Sequence, residues 1–80
     1  MHEVSLAYKI METIKLEAGK NGLRRVYEVI VSHGGGAGFD PGLVREALGL
    51  MQADSFLSGA EIAFVPGKDH DFRVERIRGE

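Results

Sequence analysis

With 80 residues, 44% of them apolar, the chain has the length and composition of one small globular domain. Its ten basic and twelve acidic side chains leave a formal net charge of −2, which argues against the cationic surface of a general nucleic-acid binder. The absence of cysteine excludes disulfides and cysteine-ligated zinc. No apolar run approaches the roughly 20 residues of a membrane span, and nothing at the start is typical of a signal peptide, so we expect a cytoplasmic protein.

The first three residues, Met1-His2-Glu3, form a candidate metal site. When the α-amine is deprotonated, its nitrogen, the His2 amide, the His2 ring and the Glu3 amide can surround one ion in a plane. Ni²⁺ and Cu²⁺ prefer such a nitrogen square, and imidazole suits nickel, copper and zinc alike. Chain termini are usually frayed. When the tripeptide is considered alone, a terminus with no metal-binding role is therefore favoured over a metal site.

The segment from Val4 to Lys20 is predicted to be an amphipathic helix that Asn21-Gly22 ends. Ser5, or a residue just before it, is a candidate cap. Apolar residues recur on one side at three- and four-residue steps: Ala7, Ile10, Met11, Ile14 and Ala18. The tripeptide is therefore expected to be joined directly to a packed helix, which would hold it in place.

The stretch from Arg25 to His33 is predicted to be the first strand, because it is rich in good strand formers. Alternation places Tyr27, Val29, Val31 and His33 toward the core. The glycine-rich stretch from Gly34 to Gly38 follows at once. It lacks the Lys-Ser/Thr of a P-loop and the spacing of a dinucleotide site, so a tightly turning connector is favoured over an anion site.

Asp40-Pro41 is predicted to open the second helix, which runs to about Ala53. Asp is a preferred N-cap, and Pro fits the first helical turn. The apolar stripe of this helix is predicted to contain Val44, Ala47, Leu48 and Met51, widened by Leu43 and Leu50.

Two further strands are predicted, from Ala60 to Val65 and from Phe72 to Ile77, joined as a hairpin by a turn from Pro66 to Asp71. Phe56 and Leu57 are expected to cover the core from a loop. The order helix-strand-helix-strand-strand predicts an α+β fold, with two helices packed on one face of a three-stranded sheet. The opposite face would have no helix to cover it, which favours self-association.

The opening Met1-His2-Glu3-Val4-Ser5-Leu6-Ala7 resembles that of the HypA/HybF nickel-incorporation proteins, which begin M-H-E-x-S followed by Leu or Ile. Weaker similarities continue along nearly the whole chain, at Gly22 to Val26, Gly34 to Pro41, Ser58 to Ile62 and Phe72 to Ile77. The family inserts a zinc domain with two C-x-x-C pairs between its second and third strands. This chain has no cysteine, and a short turn near residues 66–71 stands in place of the insert. It thus resembles the nickel-binding half of a family member, as a single domain over residues 1–80.

The resemblance implies a nickel metallochaperone for nickel–iron hydrogenase or urease maturation, and not an enzyme. Nickel would be held transiently by Met1, His2 and Glu3, and no zinc is expected. Asp40, whose role as a helix N-cap explains it equally well, would add an oxygen ligand. The implied partners are a HypB-like GTPase and a hydrogenase subunit, and a homodimer is also expected. Binding to nucleic acid or to a membrane is not expected.

A second interpretation stays open: a metal-free interaction module that docks on hydrogenase maturation partners. It would use the uncovered sheet face and the basic end at Arg73, Arg76 and Arg78. His33 and His70 are more typical of structural histidines than of metal ligands. The sequence places no nucleophile beside a base and no two carboxylates together for acid–base chemistry, so it does not indicate catalysis.

Overall fold

The structure is a computed structural model that describes residues 2–34 (His2 by its backbone only), 40–53, 55–68 and 72–80. The elements are α1 (His2–Lys20), β1 (Val26–Gly34), α2 (Pro41–Gln52), β2 (Glu61–Gly67) and β3 (Phe72–Gly79). The predicted α+β fold, with the order helix-strand-helix-strand-strand, is confirmed. Neither helix in the described part of the chain has the length and apolar character needed to cross a bilayer.

β1 is the central strand of the sheet, whose order is β2-β1-β3. β2 runs parallel to β1, with Val29 opposite Ile62, and β3 runs antiparallel on the other side, with Val29 opposite Ile77. The predicted hairpin between the second and third strands is therefore wrong. The α2 crossover sets β2 parallel to β1, and β3 then pairs with the other edge of β1.

The core lies between the helices and the central strand. The fully or nearly buried apolar residues come from both helices, β1 and the loop after α2: Ala7, Ile10, Ile14, Ala18, Val26, Val29, Val31, Val44, Leu48 and Leu57. The helical stripes and the covering role of Leu57 are thus confirmed, whereas Phe56 is 39% exposed. Leu43 and Leu50 do not widen the buried stripe of α2, because their side chains are 49% and 81% exposed.

β1 departs from simple alternation. Its pairing with β3 shifts register between Val26 and Glu28, and again between Ile30 and Val31. A register shift changes which residues face the core. As a result Val26 is buried while Tyr27 is 39% exposed, so the predicted core face is wrong at Tyr27.

Three element boundaries differ from prediction by two residues, and the other differences are of one residue. α1 begins at His2 instead of Val4, which puts Ser5 inside the helix. β2 continues through Pro66-Gly67, which were predicted to turn, and proline is tolerated there because β2 is an edge strand. β3 continues to Gly79. The glycines at 35, 36 and 38, and the predicted turn at 69–71 with its histidine, lie outside the described residues.

Candidate metal centre

The start of α1 contains two of the predicted metal-binding residues, His2 and Glu3, in its first turn. The first backbone amides of an α-helix have no acceptor within the helix. The amides of His2 and Glu3 therefore donate no hydrogen bond within the helix. The predicted square of four nitrogen ligands requires both amides. The partial positive charge of a helix N-terminus favours deprotonated, anionic nitrogens there and slightly disfavours a bare cation.

Asp40 caps the start of α2, as predicted. Its backbone is extended (φ −94°, ψ 112°), and its Oδ1 accepts a hydrogen bond from the Gly42 amide at 2.8 Å. Its carbonyl oxygen accepts the first helical hydrogen bonds from the amides of Leu43 and Val44, both at 3.1 Å. Pro41, which has no amide hydrogen to satisfy, occupies the first turn.

A hydrogen bond joins the two helix N-termini. The backbone amide of Asp40 donates to Oε2 of Glu3 at 3.3 Å, between residues 37 positions apart in the chain. The structure thus brings Glu3 and Asp40 together, which is half of the predicted site. Met1 and the side chain of His2 lie outside the described residues, so the complete site stays a prediction.

The carboxylates alone do not form a metal cage. Within the described ranges, no three His, Asp or Glu side chains are placed to share one ion. A metal bound near Glu3 and Asp40 would therefore need donors from the residues before Glu3. Such a site would be open to solvent, because Asp40 is exposed and Glu3 is only half-buried.

His33 lies in a cluster that the sequence did not indicate. Its ring centroid is 6.2 Å from that of Phe64, with the planes tilted by 53°. The guanidinium carbon of Arg45, on α2, lies 5.3 Å from the same Phe64 centroid, within the range of a cation–π contact. The placement of His33 on an aromatic ring fits the structural role that was favoured for it.

The uncovered sheet face mixes both charges. The Nε of Arg78 lies 3.7 Å from Oε1 of Glu28. The hydroxyl of Ser32, a residue only 5% exposed, donates to Oε2 of Glu75 at 2.6 Å. The predicted basic end of β3 is therefore interleaved with carboxylates, a pairing that the alternation along one strand cannot reveal.

These features define a small two-layer α+β domain with an open candidate metal site where two helix N-termini meet. The family described as hydrogenase/urease nickel incorporation, metallochaperone, HypA matches residues 1–69. The chain belongs to this HypA family, as its opening residues predicted.

The fold is similar to the solution structure of the Ni metallochaperone HypA from Helicobacter pylori. The TM-score is 0.85, with 14% sequence identity over 96% of this chain and 96% of that chain. At this identity the likeness concerns the fold. None of the curated proteins matches the sequence.

Proposed function

We propose that the chain carries Ni²⁺ for hydrogenase or urease maturation and binds it at its N-terminal Met-His-Glu. The observation that carries the proposal is the hydrogen bond from the Asp40 amide to Glu3, which places an aspartate beside the first turn of α1. Membership in a nickel-incorporation family supports nickel as the cargo.

The proposed ligands are the α-amine of Met1, the amide and imidazole of His2, and the amide of Glu3. Asp40 would add an oxygen ligand through Oδ2, since its capping hydrogen bond uses Oδ1. The cap and the ligand role are therefore compatible. The Glu3 carboxylate would act indirectly, because its hydrogen bond to Asp40 holds the two helix starts together.

An open site suits a carrier, because a metal ion that must be handed on cannot be enclosed. We propose no catalytic step for this domain and no zinc, since the chain contains no cysteine thiolates. A HypB-like GTPase and a hydrogenase subunit are the proposed partners. Homodimer formation and a cytoplasmic location stay predictions.

The test is a calorimetric titration of Ni²⁺ into protein that starts at an authentic, unblocked Met1. Binding should be lost in His2→Ala and in a version extended by residues before Met1, since each removes a nitrogen ligand. His33→Gln, which removes an imidazole from β1 instead, should bind as the wild type does. Unchanged Ni²⁺ affinity in both His2→Ala and the extended version would rule the site out. A parallel Cu²⁺ titration measures the selectivity between the two metals, since copper binds nitrogen sites more tightly.

The alternative, a metal-free interaction module, would use the uncovered sheet face. The Glu28–Arg78 and Ser32–Glu75 contacts offset part of its basic character, so we rank it second. A pull-down of a hydrogenase maturation partner that survives chelator and His2→Ala, but not Arg76→Glu, would favour it over the nickel carrier.

A further inference from the structure

A groove adjoins the candidate metal centre and shares Glu3 with it. It has a volume of about 230 Å³ and lies between the first turn of α1 and the outer side of α2. We call it the α1–α2 groove, and its lining residues are Glu3, Val4, Leu43, Glu46, Ala47 and Leu50. Three of them are large apolar residues left in solvent: Val4 is 44% exposed, Leu43 49% and Leu50 81%.

α2 therefore carries two apolar stripes. Val44 and Leu48 form the buried one. Leu43, Ala47 and Leu50, spaced by four and three residues, form the second, which lines the groove. Scattered exposed apolar residues are ordinary, but several gathered on one concave surface mark an interaction site.

We propose that the α1–α2 groove docks an amphipathic helix of a partner protein, one whose apolar stripe is flanked by lysine or arginine. The groove is smaller than the roughly 300–1,000 Å³ of typical small-molecule pockets. It suits the anchoring side chains of a helix, and helices bind grooves through residues at i, i+3, i+4 and i+7.

The charges of the groove identify the kind of partner. Among the described residues that line it, the two ionisable ones, Glu3 and Glu46, are both acidic. A basic flank on the incoming helix is therefore complementary. A second copy of this chain is the wrong occupant, because a symmetric contact would bring the same carboxylates together around the two-fold axis.

Docking would take place beside the metal centre. Glu3 lines the groove and also accepts the hydrogen bond from Asp40. A helix seated in the groove would therefore lie next to the proposed nickel ligands, where a receiving protein has to be. This consequence rests on the proposed function, but the docking itself does not.

The experiment uses the whole chain in EDTA, so that metal plays no part. The probe is a fluorescein-labelled synthetic helix of about 15 residues, with leucines on one face and lysines along its flanks. A matched peptide carries glutamate in place of each lysine. Fluorescence anisotropy should show binding of the lysine peptide and at least about tenfold weaker binding of the glutamate peptide.

Variants locate the binding surface. Leu43→Ala with Leu50→Ala should weaken the lysine peptide at least about tenfold, as expected for anchor contacts. Glu46→Lys should weaken the lysine peptide and strengthen the glutamate peptide. Leu16→Ala is the matched control, because Leu16 is 67% exposed on α1 and does not line the groove. The changed side chains are exposed, and circular dichroism checks that each variant is folded.

Any of three peptide-binding results would overturn the proposal: no binding of the lysine peptide, equal binding of both peptides, or an equal loss of binding in Leu16→Ala. A dimer that is seen in sedimentation and dissociates in Leu50→Ala would assign the groove to a second copy of the chain. That result would also overturn the proposal. The two proposals fail separately, because His2→Ala removes a proposed nickel ligand and leaves the described lining residues of the groove as they are. Loss of peptide binding in the Leu43/Leu50 variant leaves the nickel titration as an independent result.

Discussion

Glu3 and Asp40 hold the first turns of α1 and α2 together, through the hydrogen bond from the Asp40 amide to Oε2 of Glu3 at 3.3 Å. Asp40 is also the N-cap of α2, through the 2.8 Å hydrogen bond that its Oδ1 accepts from Gly42. One residue thus has a structural role that the structure shows and a metal-binding role that we propose. Substitutions can separate the two roles.

Asp40→Asn and Asp40→Ala should differ in stability but not in nickel affinity. Asn caps helices about as well as Asp, whereas Ala loses roughly 1 kcal/mol at this position. Urea denaturation should therefore show a lower midpoint for Asp40→Ala and nearly the wild-type midpoint for Asp40→Asn. Both variants lack the proposed oxygen ligand, so calorimetry should show weaker Ni²⁺ binding in both. Wild-type affinity in a stable Asp40→Asn protein would leave Asp40 with the cap alone.

The local structure around Asp40 could be predicted from the sequence, but its contact with Glu3 could not. Asp-Pro before an apolar stripe is a local signal for a helix start, and that helix is found. The pairing of two helix starts 37 residues apart depends on how α1 and α2 pack. Only the family resemblance placed Asp40 near the amino terminus.

The errors in the sheet have the same origin. Sequence alternation identified Val29 and Val31 as buried, because each strand carries its own period. It failed at Tyr27, where the register of β1 against β3 shifts. It also predicted a hairpin of the second and third strands, since neighbours in sequence usually pair. In the structure β1 lies between them.

Gly79→Ala should destabilise the protein, and Gly49→Ala should stabilise it. A Cβ on Gly79 would collide with the carbonyl oxygen of Arg25, where backbone hydrogen bonds join Arg25 and Glu80. Relief by backbone movement should cost about 1–3 kcal/mol, as overpacking does. A Cβ on Gly49, within α2, meets nothing within 4 Å, so alanine should gain about 0.5–1 kcal/mol from its better helix propensity. Thermal denaturation of both variants checks the opposite signs.

Ser32→Ala should cost about 1.5–3 kcal/mol, the range for a hydrogen bond to a charged group. The Ser32 side chain is nearly buried, and its hydroxyl donates to Glu75 at 2.6 Å. Thr13→Ala is the control, because the Thr13 hydroxyl donates to the Lys9 carbonyl in an exposed turn of α1. That change should stay within about 0.5 kcal/mol. Equal free energies of unfolding for the two variants would mean that the Ser32–Glu75 bond adds nothing to the sheet.

The side-chain amide of Gln52 should be needed as a hydrogen-bond donor for the stability of the fold. Its Nε2 donates to the carbonyl oxygens of Leu57 at 2.7 Å and Ala60 at 2.6 Å, and so holds the loop that brings Leu57 into the core. Gln52→Glu keeps the shape but turns the donor into an acceptor facing two carbonyls. We expect a loss of about 1–3 kcal/mol at neutral pH. Relative to the wild type, part of that loss should be recovered near pH 4, where a protonated carboxyl can donate. A loss with no pH dependence would contradict this reading of the loop.

Tyr27 should titrate above the usual tyrosine pKa of about 10. A hydrogen bond to the Glu80 carboxylate raises the pKa of its phenol, and burial adds to the effect, while Arg25 lowers it. Because the folded state then holds this proton more tightly than the unfolded state, the stability it contributes is complete below the unfolded pKa. It is lost as pH rises through the folded pKa. In Tyr8→Phe, which leaves Tyr27 as the single tyrosine, the phenolate absorbance should rise with a midpoint above 10, and adding Glu80→Ala should bring the midpoint down. An unmoved midpoint would mean that Glu80 is not the cause of the raised pKa.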